Sequence, residues 1–273
     1  RLGFADGVSQ DTKTALMVKL AEADLAIGNY DEALPRLQQV AAAGDLGHQV
    51  RDAVHARFRL AEIALRQGLP FDALEQTDAA MALVAAYKLT DLQPTAQAHS
   101  ARMLVACGMF EQARQIYEQI LHGQHLVDAP HHELVIWADW IEFMLEHGDS
   151  AMARSLGVLL LAQLEQWDAD IFVPGTVHAW CVALETARQR RDERFVGLVE
   201  ALIRALDSAA MQLTERERTS FWHAIPDHLQ VLTWHTQFGS SGGIMASSNG
   251  RDTKHVQFEY NVASRDSARG RTP

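Results

Sequence analysis

Apolar and polar residues recur along this chain with the spacing of amphipathic helices, and glycine interrupts the pattern at a constant interval. Gly28, Gly68, Gly108 and Gly148 stand forty residues apart. Five residues after each comes an alanine, at Ala33, Ala73, Ala113 and Ala153. Seven residues before each stand Ala21, Ala61, Ala101 and Ile141, and eight before stand Leu20, Leu60, Ser100 and Trp140. A glycine at the end of an apolar-periodic run predicts a helix stop, because a residue without Cβ enters the left-handed region at least cost. Small residues at fixed distances on both sides predict two antiparallel helices crossing closely, where a larger side chain would hold them apart. Larger residues such as Leu37, Val40, Tyr117, Ile120 and Leu160 are then expected to fill the space against the next pair.

Each period therefore reads as one helix pair, repeated at least four times, and repetition of this kind is the signature of a solenoid. The first unit, AEADLAIGNYDEALPRLQQVAAAG, carries Gly28, Asn29, Tyr30, Glu32 and Ala33; the third, ACGMFEQARQIYEQIL, nearly matches it. These residues resemble the tetratricopeptide repeat (TPR) family, most of all the long-period arrays of large bacterial signalling and transcription regulators. The resemblance runs over about residues 14–165, although the period is forty and not the family's usual thirty-four. It implies an all-α fold, a right-handed TPR-like superhelix of antiparallel helix pairs (an α-solenoid), and a protein-binding scaffold. Pro35 inside the second helix removes one backbone donor and predicts a kink.

The remaining organisation follows from local signals. Residues 1–13 read as a lead-in and 14–212 as an array of about five helix pairs. The fifth pair, about 175–210, is degenerate, with its turn near Arg191 and Asp192. Residues 213–238 read as capping helices, opened by a capping box at Thr214 and Glu217 and restarted at Pro226. The Gly- and Ser-rich stretch 239–273 has too few apolar residues to offset its ordering entropy and reads as a flexible tail, partly foreign in origin.

Composition narrows the function. The net charge of −11, with no basic block in the array, argues against nucleic acid as a direct partner. No apolar run reaches the roughly 18 residues of a membrane span. No leader-like segment precedes the array, and the opening Arg1 suggests a piece of a longer protein. Cys107 and Cys181 fit buried free thiols in a reducing compartment, so a cytoplasmic location is expected.

The chemistry-bearing motifs of the common enzyme classes are missing, and neither a catalytic residue nor a cofactor is expected. His122, His125, His131 and His132, with Asp128 and Glu133 nearby, fall between units three and four and read as solvated loop residues, not a metal site. The tryptophans Trp137, Trp140, Trp167, Trp180, Trp222 and Trp234 read mainly as core.

In this architecture the first helix of each pair lines the inner surface. Counting back from each glycine places Val18, Glu22 and Leu25, then Phe58, Glu62 and Leu65, then Ala98, Arg102 and Val105, then Ala138, Glu142 and Leu145 on the inward side. Lys19, Arg59, Arg66, His99 and Asp139 flank them. The candidate binding residues are thus Lys19, Glu22, Phe58, Arg59, Glu62, Arg66, His99, Arg102, Asp139 and Glu142. They form a mixed groove for a protein or peptide, with a homodimer also allowed. Val18 and Glu22 argue against capture of a partner's carboxylate at unit one, since Glu22 repels it. Arg59 and Arg102 are expected to be surface charges whose exchange for glutamate leaves melting unchanged. A small-molecule or peptide-pheromone sensor is the alternative function, ahead of a metal-dependent enzyme at the histidine loop.

Overall fold

The computed structural model describes residues 10–45, 49–126, 133–166 and 175–239. The first nine residues of the lead-in, together with His131, His132, Asp128, Trp167 and the tail after Gly239, lie outside the described residues, and residues 10–13 of the lead-in belong to the first helix. Among the described residues there are twelve α-helices and no strand. In chain order they are α1 Gln10–Ala26, α2 Tyr30–Asp45, α3 Val50–Arg66, α4 Pro70–Ala86, α5 Gln93–Ala106 and α6 Phe110–Leu121. There follow α7 Leu134–His147, α8 Ser150–Gln166, α9 Thr176–Gln189, α10 Phe195–Ala210, α11 Glu215–His223 and α12 Pro226–Phe238. A 3₁₀ turn, Thr90–Leu92, leads into α5. The architecture is an all-α solenoid of antiparallel pairs, as the repeat predicts. None of the described helices is long and apolar enough to cross a membrane.

The turns obey one rule. Gly28, Gly68 and Gly108 take φ of +78°, +76° and +77°. Each turn closes with two bonds back into the preceding helix. In the first, Gly28 N–H donates to the Leu25 carbonyl at 3.1 Å and Asn29 N–H to the Asp24 carbonyl at 2.8 Å. This is the Schellman closure of a helix end. Arg191 plays the glycine's part in the fifth pair, at φ +57°, with Asp192 N–H donating to the Ala187 carbonyl. Gly148 departs from the rule with φ −140°. There the next helix is started by Asp149 instead, whose carboxylate accepts from the N–H groups of Ala151 and Met152. Thr214 and Glu217 form both halves of the expected capping box, and α2 continues through Pro35.

The four repeat alanines are fully buried. Tyr117, Leu37, Val40 and Leu160 are buried beside them, while Ile120 is only half-buried. Trp140 packs against Tyr117 and Phe143, and Trp137 is buried with its indole N–H lacking an acceptor among the described residues. Gly157 matters for packing although the repeat did not flag it: a Cβ there would lie 2.1 Å from the Thr186 hydroxyl. Cys181 is buried, but Cys107 is only half-buried, because it stands just beyond α5 at the turn.

The array does not stay open. Its last helices reach back to its first turn. The Ser220 hydroxyl donates to the Gly28 carbonyl at 3.0 Å, and the Tyr30 hydroxyl donates to the Ala224 carbonyl at 3.1 Å. Arg66 donates to both the Tyr30 hydroxyl and the Ala224 carbonyl, with its guanidinium 4.7 Å from the Tyr30 ring centre. This clasp joins the two ends of the stack, with Tyr30 and Ser220 each bonded to a residue nearly two hundred positions away in sequence.

Candidate functional site

The first helices of the pairs, α1, α3, α5, α7 and α9, supply the inner face. The forty-residue register sets two ladders of side chains along it. One runs Lys19, Arg59, His99, Asp139; the other runs Glu22, Glu62, Arg102, Glu142. Helix α9 continues the first ladder at His178, and α12 adds Asp227 from the cap. Arg59, Glu62, His99, Arg102, Asp139, Glu142, His178 and Asp227 line one cavity of about 560 Å³, with Phe58 and Leu65 among its apolar walls. Arg66 also faces it, and shares with Glu22 a smaller adjoining cavity of about 170 Å³. Lys19 is the exception: it is exposed and ion-paired to Glu22 at 2.8 Å. Phe58 is core, 2% exposed, and stacks on the His99 ring at 4.2 Å.

His178 is the centre of the site, and the sequence reading did not single it out. It is buried, with Nε2 donating to Asp139 Oδ1 at 3.1 Å and Nδ1 donating to Asp227 Oδ1 at 3.4 Å. Burial by itself would push its pKa down. The two carboxylates, which bond to and attract the charged ring, override burial and raise the pKa to about 10. His178 is therefore an imidazolium at neutral pH. Burial likewise opposes the charge on Asp139 and Asp227. Arg102 and the bond from His178 hold Asp139 below the usual carboxylate range, and His178 does the same for Asp227.

Arg59 is spent locally. It donates to both oxygens of Glu62 at 2.9 and 3.0 Å. Burial would raise Glu62, but Arg59, with His99 and Arg102, draws it down to about 2. Burial lowers His99 to about 4, so it is neutral. Exchanging Arg59 for glutamate would set two carboxylates against each other in a partly buried place, so the expectation of unchanged melting does not hold for Arg59. Arg102 differs. Burial acts against its charge, which Asp139, Glu62, Glu142 and Asp227 together hold in place. Even so, no hydrogen bond or ion pair joins it to any described residue. Glu142 is half exposed, and its carboxylate comes no nearer to a cation than 3.8 Å from His178 Nε2. Burial raises its pKa.

One atom from each of Asp139, Glu142 and His178 lies within 4.8 Å of the others, a donor set of the kind that holds a divalent ion. To serve as a ligand, His178 Nε2 has to lose the proton that Asp139 now accepts, and the ion has to sit in the field of Arg102. At the histidine loop, His122 and His125 are exposed.

His178 was within reach of sequence reasoning, since one more step of the first ladder from Asp139 falls within a residue of it. Asp227 carries no such signal, because it comes from the cap and outside the repeat.

No family model matches the chain, and no curated protein matches it in sequence. Among solved structures it is similar to a protein from Podosopora anserina designated a kinesin light chain, described as having nearly identical TPR-like repeats. Identity is 16% and the TM-score 0.47, over 76% of this chain and 100% of that one. A Q17M form of that protein gives the same identity and TM-score, over 74% of this chain and 98% of that one.

Proposed function

We propose that this chain is a binding scaffold without catalysis of its own, which takes a peptide segment onto its inner face as the regulatory part of a larger signalling or transcription-control protein. The observation that carries this reading is the convergence of the two side-chain ladders on one mixed-charge cavity. Glu22 and Glu62 repeat the charge of their position, but the next two steps of the same ladder, to Arg102 and then Glu142, reverse it each time. A packing requirement alone would keep the residue type, whereas a row of alternating charge suits recognition of a partner by register. A volume of about 560 Å³ lies in the range of sites for small ligands and short segments. It favours an end or loop of a partner over a whole folded surface. The groups present bind and orient; a nucleophile paired to a base is not among them. The clasp of Tyr30, Arg66 and Ala224 favours the second reading, a sensor for a small solute, because it ties the first turn to the cap and leaves a cavity in the range of small-ligand sites.

The test is selection of binders from a random peptide library on the full chain, followed by hydrogen exchange of the complexes. Protection is expected on α3, α5 and α7. A library that yields no binder, or protection confined to the outer helices α4, α6 and α8, would refute the reading.

A further inference from the structure

The charges on the inner face nearly cancel. Arg59 is matched by Glu62, and His178 lies between Asp139 and Asp227. Arg66 is held by a carbonyl and a hydroxyl at the clasp. Two ionised groups are left over. Arg102 has five N–H donors and no acceptor bonded to it among the described residues. Glu142 is half exposed, and its nearest cation, His178 Nε2, stands 3.8 Å away, beyond hydrogen-bond reach and already bonded to Asp139. Arg102 and Glu142 stand one forty-residue step apart on the same ladder, on the neighbouring inner helices α5 and α7, and line the same cavity.

We infer that this cavity binds a small zwitterion, an amino acid or a short peptide with free ends, whose carboxylate is gripped by Arg102 and whose ammonium is held by Glu142. The inference rests on the reading of the inner face as a binding site and names the chemistry of its ligand. An anion alone would satisfy Arg102 but bring a fifth negative group among Glu62, Asp139, Glu142 and Asp227. A cation alone would satisfy Glu142 beside Arg102 and His178. A ligand carrying both charges leaves the balance of the cavity unchanged and supplies each leftover group with its partner. The guanidinium's planar fork matches a carboxylate at two points, a geometry that lysine lacks. Leu65, Val135 and Ile136 line the same space and offer an apolar wall for the ligand's side chain.

The experiment titrates the full chain with each common amino acid and a set of di- and tripeptides by calorimetry and thermal shift. Simple amines and monocarboxylates serve as half-ligands. At least one zwitterion is expected to bind one per chain, with each half-ligand about ten-fold weaker or more. Arg102→Gln is expected to weaken binding about ten-fold or more, with Arg102→Lys nearly as weak because the charge stays and the fork is lost. Glu142→Gln is expected to lower affinity for the ammonium-bearing ligand, while the monocarboxylate binds as well as before or better, because one opposing charge is gone. Far-ultraviolet circular dichroism checks that each variant is folded. Equal binding by the wild type and Arg102→Gln overturns the inference, as does a monocarboxylate that binds as well as the zwitterion. Stoichiometric zinc or manganese lost in His178→Gln also overturns it, by assigning Asp139 and Glu142 to a cation. If every zwitterion fails while library peptides still protect α3, α5 and α7, this inference falls and the binding reading stands. If both fail, both fall.

Discussion

Replacing His178 with glutamine tests the centre of the inner face. The change keeps a polar side chain of similar length but removes the cation between Asp139 and Asp227. Both partners of the tighter pair are nearly inaccessible: the side chains of His178 and Asp139 are 11% and 9% exposed. Removing one member of a buried ion pair costs about 3–5 kcal/mol, since the other charge stays buried without its partner. A rise of the His178 pKa from 6.5 to about 10 corresponds to on the order of 5 kcal/mol at about 1.36 kcal/mol per pH unit, in agreement with that range. For a domain of this size the loss lowers the melting temperature by roughly 6–20 °C. The pH dependence is more specific than the loss. A group whose folded pKa is raised contributes fully below its unfolded pKa and loses the contribution as pH climbs through the folded one. Between about pH 7.5 and 9.5 the native state holds a proton at His178 that the unfolded state has released, so the wild type loses about 1.4 kcal/mol per pH unit relative to the variant. Burial also raises the Tyr117 hydroxyl and the Cys181 thiol, but they titrate alike in both proteins and drop out of the difference. Urea denaturation of both proteins at half-unit steps from pH 6 to 10.5 measures it. The two stability curves should converge near the top of that range. Parallel curves, or a variant within about 1 kcal/mol of the wild type at pH 6, would show that His178 is not a buried cation.

Three further outcomes follow from the packing. Ala113→Leu overpacks a crossing where the alanine is fully buried and is expected to cost about 1–3 kcal/mol by denaturant midpoint; a neutral result would mean the pair separates freely. Gly28→Ala and Gly108→Ala both place a side chain at positive φ, a strain of about 1–2 kcal/mol. Only the former also meets another element, with the new Cβ 2.9 Å from that of Ala224, while at Gly108 there is open space. Gly28→Ala should therefore be the more destabilising and should speed hydrogen exchange in α11 and α12, and equal effects would argue against the clasp. Thr214→Ala removes a capping box and should cost about 1 kcal/mol, read from the melting of the cap.

What the sequence determined by itself is what depends on near neighbours. Glycine in the left-handed region, alanine at a crossing and threonine before a glutamate are local requirements, so the turns at Gly28, Gly68 and Gly108, the buried alanines and the start of α11 could all be read directly. The period also aligned Arg59, Glu62, His99, Arg102, Asp139 and Glu142, which line one cavity, because one step along the chain is one step along the stack; it did not exclude Lys19, which is exposed. Which of them are available was decided by tertiary structure. Arg59 is occupied by Glu62 one turn away on its own helix, whereas Arg102 is left over. No pattern in the chain distinguishes the two arginines, since the difference lies in which carboxylates the neighbouring helices bring near. The closure of the array was equally hidden. It depends on how each pair packs on the one before it along the whole stack, and no single residue encodes that. Asp227 comes to face His178 because α12 packs against α9, and that packing is what joins a row of charges and a capping helix in one site.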